Sequence, residues 1–271
     1  MRRQLFAAMT LALAVAVVGA RTNATAASAV TTDVSTNWAG YAVSAASTTF
    51  TSVTGTWKEP TVTCGAGDAG TSSAFWVGLG GLDASSQALE QIGTSADCTN
   101  LGQPSYYAWY ELVPSGSVTI KLKVKPGDTI TTSVNVIDAT TVKVQVKNRT
   151  RRTSFTKNLT FATADLTSAE WIAEAPSQCD QFRCTAVPLA NFSSVSFSRI
   201  AAIGNGIGGT ITNPAWTTDS IQLVPTSSHG FFPGPNRFAA DTSSTAGAAP
   251  DQVSGDGKGF TVTWQANAAS T

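Results

Sequence analysis

Past residue 30 the chain is a succession of short runs in which apolar and polar residues alternate. "TFTSVTGTWKEP", "SSAFWVGLGG", "YYAWYELVP", "TITTSVNVID", "TVKVQVKNRT", "RTSFTKNLTF", "VSFSRIAAI", "SIQLVP" and "FTVTWQ" are rich in Thr, Val and aromatics and are cut apart by Gly, Pro, Asn and Asp. A period of two puts successive side chains on opposite faces, so each run predicts a strand with one buried face. In "VTIKLKVKPGD", Ile120, Leu122 and Val124 alternate with Lys121, Lys123 and Lys125 before a Pro-Gly turn. Helical periodicity is hard to find anywhere in this region. The pattern predicts an all-β chain: an antiparallel β-sandwich of two packed sheets, jelly-roll or lectin-like. The low-complexity segment from Ala240 to Gly259 predicts a long surface loop before a last strand.

The N-terminus changes the picture of what the mature chain is. "MRRQLFAAMTLALAVAVVGA" sets two arginines before a short apolar run, and the small-residue stretch "NATAASA" follows. That is the layout of a secretory signal, cut after Ala29 or after Ala20, with an uncleaved anchor as the alternative. A cut after Ala29 leaves residues 30–271 as one domain, with no long pro-segment between leader and domain. It removes Arg2, Arg3 and Arg21 and no acid, so 17 basic and 17 acidic residues become 14 and 17. The densest basic run, "KNRTRRT" (Lys147 to Thr153), reads as a solvated hairpin tip, so no nucleic-acid partner is expected. Nor is a membrane partner expected once the leader is gone, and a monomer is the default. The four cysteines of an exported chain read as two disulfides. Cys179 and Cys184 close a tight loop, which leaves Cys64 with Cys98.

Candidate chemistry follows by elimination. The one histidine, His229 in "SSHGFFPGPN", lies outside any G-x-S-x-G elbow, and one histidine cannot build a histidine-rich metal site. Paired cysteines supply no nucleophile, so neither metal nor cofactor is expected and carboxylates remain. The chain has five glutamates, and two stand in "AEWIAEAP". As a strand, this run puts Glu170, Ile172 and Glu174 on one face and Trp171 and Ala173 on the other. Two readings stay open there: a desolvated acid–base pair, or an exposed edge pair. "QALEQIG" sets Glu90 and Gln91 against Leu89 and Ile92, and in "YYAWYELVP" Tyr107, Trp109 and Glu111 share a face. That face reads as the floor of a groove for an extended polymer, peptide or sugar.

Six segments in order, "NWAGYAV", "FWVGLGG", "LEQIGT", "YYAWYE", "AEWIAEAP" and "CTAVPLANFSSVSF", together resemble the glutamic peptidases, the eqolisins of the G1 family. The resemblance runs from Asn37 to Pro225 and implies a two-sheet β-sandwich that hydrolyses protein or peptide substrates with a glutamate–glutamine pair. It places the glutamine on Gln91 and the glutamate on Glu174, with Glu170 as a support or surface residue. It also implies that Trp38, Trp76, Trp109 and Glu111 line or support the substrate groove. Where fungal members carry acids, this chain has Ser95 and Tyr107, and Val113 replaces a groove tyrosine, which bears on subsite preference and pH optimum. Two rival readings stay beside it: a carbohydrate-active sandwich using Glu111 and Glu174, and a non-catalytic lectin-like module.

Overall fold

Alternating side chains leave every backbone N–H and C=O of a run pointing sideways, so each run must find neighbours on both edges. The computed structural model, which describes residues 30–65, 67–83, 85–161, 163–179, 184–224 and 246–266, meets that demand with strands alone. They are β1 (Val30–Ser35), β2 (Trp38–Ser44), β3 (Phe50–Lys58), β4 (Ala74–Leu79), β5 (Leu89–Cys98) and β6 (Pro104–Val113). Next come β7 (Val118–Ile120), β8 (Thr129–Asp138), β9 (Thr141–Asn148), β10 (Thr153–Thr160), β11 (Ser168–Glu174) and β12 (Ser177–Cys179). The others are β13 (Cys184–Ala186), β14 (Ser194–Gly204), β15 (Ile207–Gly209), β16 (Thr217–Leu223), β17 (Gly247–Pro250) and β18 (Gly259–Gln265).

One hydrogen-bonded path runs β10-β9-β8-β3-β14-β18-β17-β16-β2-β11-β4-β5-β6-β7. Its thinnest link is β17 to β16, which share one residue pair, Leu223 with Ala248; the strands from β10 to β18 are called the back layer and those from β16 to β7 the front layer. Strands β3, β8 and β9 of the back layer pack on β4 and β5, and β3 and β14 pack on β11. The fold is a β-sandwich, as the alternation predicts. Between the layers lie Trp57, Ile130, Val134 and Val144 from the back and Phe75, Val77, Ile92 and Trp171 from the front. Trp171 is fully buried, and its indole N–H donates to the Thr54 carbonyl of the opposite layer at 2.8 Å. A large ring with one satisfied polar atom pins the two layers together at β11.

Several expectations need correction. The strand read across "VTIKLKVKPGD" pairs only as far as Ile120. Leu122 and Val124 are buried and the lysines exposed, but the Leu122 N–H turns back to the Ile120 carbonyl at 2.7 Å and the Lys123 carbonyl accepts from Asn148 at 3.1 Å. With those groups satisfied locally, no ladder is needed. The segment read as a surface loop contains β17, where Gly247 and Ala248 are buried. Small residues let β17 fit where the layers meet, and they carry no alternation to announce it. The ladders between these strands are antiparallel except one: β1, off the main path, joins β16 in parallel.

Cys64 and Cys98 form a disulfide across 34 positions, a loop whose closure is worth roughly 3–4 kcal/mol. Cys179 stands opposite Cys184 in the β12–β13 ladder, and their side chains lie outside the described residues. So do the leader, residues 1–29, and His229. Among the described residues no helix is long and apolar enough to cross a membrane.

Candidate active site

The ladders of the front layer line up side chains from distant segments in rows on its outer face. One row reads Trp38, Glu174, Ala74, Ser95, Tyr107; the next Gly40, Ile172, Trp76, Gly93, Trp109; the third Ala42, Glu170, Gly78, Gln91, Glu111. Small residues beneath let large ones fold over the face. A Cβ at Gly93 would lie 2.2 Å from the Phe75 carbonyl oxygen and 2.7 Å from the Trp76 Cβ, so only glycine lets Trp76 seat there. Trp38, Trp76, Trp109, Leu89, Val113 and Ile172 make a second apolar cluster on this face, separate from the core between the layers. Trp38 meets Trp76 edge to face at 4.9 Å.

Within this cover lies a cavity of about 110 Å³ lined by Asn37, Trp38, Gln91, Ser95, Tyr107, Trp109, Glu111 and Glu174, among others. Gln91, Trp38, Trp109, Glu111 and Glu174, all singled out from the sequence, therefore meet in one place. Trp76 reaches it only from beneath: it is fully buried, and its Nε1–H donates to Glu174 Oε2 at 2.7 Å. Asn37 Nδ2 donates to the other oxygen, Oε1, at 3.2 Å. Burial, then the neighbouring Glu111, pushes the Glu174 carboxyl up to about 8, against the donors Trp76, Trp38 and Asn37. Burial likewise pushes Glu111 up to about 7, opposed by the Gln91 amide, whose Nε2 donates to Glu111 Oε2 at 2.6 Å. Gln91 Oε1 and Trp109 Nε1 are buried polar atoms without a hydrogen-bond partner. A bound polymer with amide groups could satisfy both.

Glu170, two positions before Ile172 on the same face, is neither an edge residue nor a surface one. It is 0 % exposed, both its oxygens lack partners, and burial raises it well above the usual carboxylate range. The exposed-pair reading of "AEWIAEAP" therefore falls. Sequence reasoning did not single out Asn37 as a partner of Glu174, although it stands first in "NWAGYAV". Nor did it flag Glu59, buried between the layers with Oε2 accepting from Thr94 Oγ1 at 2.6 Å and from Trp57 Nε1 at 3.4 Å. The only signal for either was a polar residue one or two positions from a tryptophan.

Two neighbouring carboxyls and a glutamine lie under tryptophans on the outer face of the front layer, an arrangement open to carboxyl acid–base chemistry. Among the described residues no group of three His, Cys, Asp or Glu could hold a metal ion. The Peptidase A4 family model matches residues 36–227. Aspergillopepsin-2 of Aspergillus niger is 30% identical over 223 residues, which are 72% of this chain and 75% of that protein. Scytalido-glutamic peptidase, solved with a peptide based transition state analog, superposes with a TM-score of 0.64 at 21% identity, covering 85% of this chain and 98% of that one. Aspergilloglutamic peptidase from Aspergillus niger superposes with a TM-score of 0.53 at 25% identity, covering 72% and 99%. The chain belongs to the Peptidase A4 family and is a glutamic peptidase of the eqolisin type. Its substrates are peptides, and the carbohydrate-active and lectin-like readings are not favoured.

Proposed function

We propose that this protein is an exported endopeptidase of acid media in which Glu174 acts first as general base and then as general acid, while Gln91 stabilises the oxyanion. Ionised Glu174 takes a proton from a water molecule, whose oxygen attacks the scissile carbonyl carbon. The second N–H of the Gln91 amide, the one not given to Glu111, donates to the oxygen as it becomes negative. As the C–N bond breaks, Glu174 returns its proton to the leaving nitrogen, which regenerates the carboxylate. Trp109 Nε1 and Gln91 Oε1 offer a donor and an acceptor to the peptide, and Trp38 and Tyr107 flank it. Glu111 holds the amide of Gln91 in place.

The reading is carried by one observation: Gln91, Glu111 and Glu174 line a single cavity, with the glutamine amide bonded to one carboxyl and a hydrogen to spare. The raised Glu174 puts the acid limb of activity nearer neutrality than an ordinary glutamate would, so cleavage should strengthen as pH rises from strong acid toward neutral. Residues 1–29 serve as the export signal, and residues 30–271 act as a single monomeric domain that needs no cofactor, membrane or nucleic acid.

The test is cleavage of a denatured protein by residues 30–271 from about pH 3 to about pH 8, with chelators and serine and cysteine reagents present. Cleavage should persist through all of these additions and fall away in strong acid. Gln91→Ala should lower kcat by about 10²–10³-fold with KM little changed. A folded chain that cuts nothing, or one stopped by a chelator, would overturn the proposal.

A further inference from the structure

We infer that Asn37, locked by Ser35, is a positioning residue that forces the proton taken up by Glu174 onto a lone pair facing the cavity, where the leaving amine can collect it. This rests on the reading of Glu174 as the proton carrier. The argument is one of hydrogen counting.

Ser35 is completely buried at the end of β1. Its Oγ accepts from two backbone donors, the N–H of Trp38 at 3.0 Å and that of Asn37 at 3.3 Å. A hydroxyl has two acceptor sites and one hydrogen, so that hydrogen is left for Asn37 Oδ1, at 3.1 Å. The oxygen end of the Asn37 amide is thereby fixed toward Ser35, and the NH₂ end toward Glu174 Oε1. On the other oxygen sits the Trp76 indole, which can only donate. A proton on Glu174 directed at either partner would meet hydrogen with hydrogen. Trp38, on the cavity wall, is a third donor to the carboxyl, so one of its four lone-pair directions is left for the proton, the one open to the cavity. Asn37 also grips the backbone next to the carboxyl, since its carbonyl accepts the Ala175 N–H at 2.8 Å.

The titratable surroundings of Glu174 are few. Glu111 on β6 is the charge that couples to it. Tyr107, also on β6, is pushed up to about 12 by burial and by Asp97, so it stays neutral through the working range. Asp97 on β5 is taken up by Ser72 and Tyr107. The residues that β2, β4 and the segment 175–178 turn to the cavity do not titrate.

Asn37→Ala, Ser35→Ala and Glu174→Gln are compared with the wild type in residues 30–271, reading kcat and KM on one peptide across pH and the melting temperature at each pH. Loss of the Asn37 donor should lower kcat about tenfold or more and move the acid limb upward, because the carboxylate form loses a hydrogen bond. Ser35→Ala, which frees the amide to flip, should shift the limb the same way by less. KM should hardly move in either. Should Asn37→Ala fail to fold, Asn37→Ser takes its place and should give the same upward shift. Profiles of the Asn37 and Ser35 variants that superpose on the wild type, or a fall in kcat with no movement of the limb, overturn the inference. Glu174→Gln separates the failures. If it stays active, the catalytic reading itself is wrong; if it is inactive while Asn37→Ala is normal, only the role of Asn37 falls.

Discussion

Glu174→Gln is expected to lower kcat about 10⁴-fold with the fold intact, because in the proposed mechanism one carboxyl carries the proton in both halves of the reaction. The substitution is nearly isosteric, and the amide oxygen can still accept from Trp76. What it cannot do is take a proton from water and give one to an amine. Stability at neutral pH should rise slightly or stay level, since a carboxyl raised by burial and by Glu111 has been removed. Single-turnover hydrolysis beside a melting curve checks both halves. A variant that folds and still turns over within about tenfold of the wild type would contradict the assignment.

The second large effect concerns the fold. The protein is expected to be most stable in mild acid and to lose stability steeply as pH rises toward 8. All five of its glutamates have raised values, and three lie away from the proposed chemistry. Burial pushes Glu59 and Glu90 up to about 8 and Glu170 well above the usual range. Their orphan oxygens, Glu59 Oε1, Glu90 Oε2 and both of Glu170, show why: too few donors face the carboxyls to offset burial. The one ion pair among the described residues, Arg151 with Asp128, lies elsewhere.

The sign follows from linkage. A folded value above the unfolded 4.5 gives stability that is fully present below that value and is lost as pH climbs through the folded one. Each such group removes about 1 kcal/mol per pH unit between the two, so three together should lower the melting temperature by more than about 10 °C between pH 4 and pH 8. Asp128 and Asp165 work in the other direction. Burial alone would raise them, but hydrogen bonds from Arg151 and Asn148 to the one, and from Ser86, Thr167 and Gly81 to the other, hold them low. Their contribution fades only in stronger acid. Glu170→Gln should flatten the alkaline fall, and a melting temperature that does not change from pH 4 to pH 8 would refute the account. Under the proposed mechanism, the ionisation of Glu174 bounds activity on the acid side and this loss bounds it on the alkaline side.

Much of this was legible in the sequence, for identifiable reasons. The two faces of β11 follow from alternation alone: Trp171 and Ala173 enter the core, while Ile172 joins the tryptophans outside. Tyr107, Trp109 and Glu111 share a face for the same reason and line the cavity together. The Cys64–Cys98 bridge follows from counting. The resemblance to eqolisins supplied the rest of the site, because no local rule tells Glu174 from Glu170. Both stand on one face at a period of two. What separates them is tertiary: one opens to a cavity and meets indole and amide donors, while the other is sealed without a partner. The β17 strand was hidden because Gly and Ala carry no pattern, and β7 was overextended because side-chain alternation outlives ladder pairing. Asn37 was hidden for another reason. Its importance lies in which atom of its amide faces Glu174, and that depends on Ser35.

The central claim is that ionised Glu174, its charge opposed by Glu111, removes the proton from water. The pH dependence of kcat/KM for the wild type and for Glu111→Gln, on one peptide and over the range where both fold, tests it most directly. With the opposing charge gone, Glu174 should ionise at lower pH, so the acid limb should move downward even though a neutral acceptor holds the Gln91 amide more weakly and lowers the maximum rate. An acid limb that stays where it is in the wild type would mean that the group controlling the rate is not Glu174.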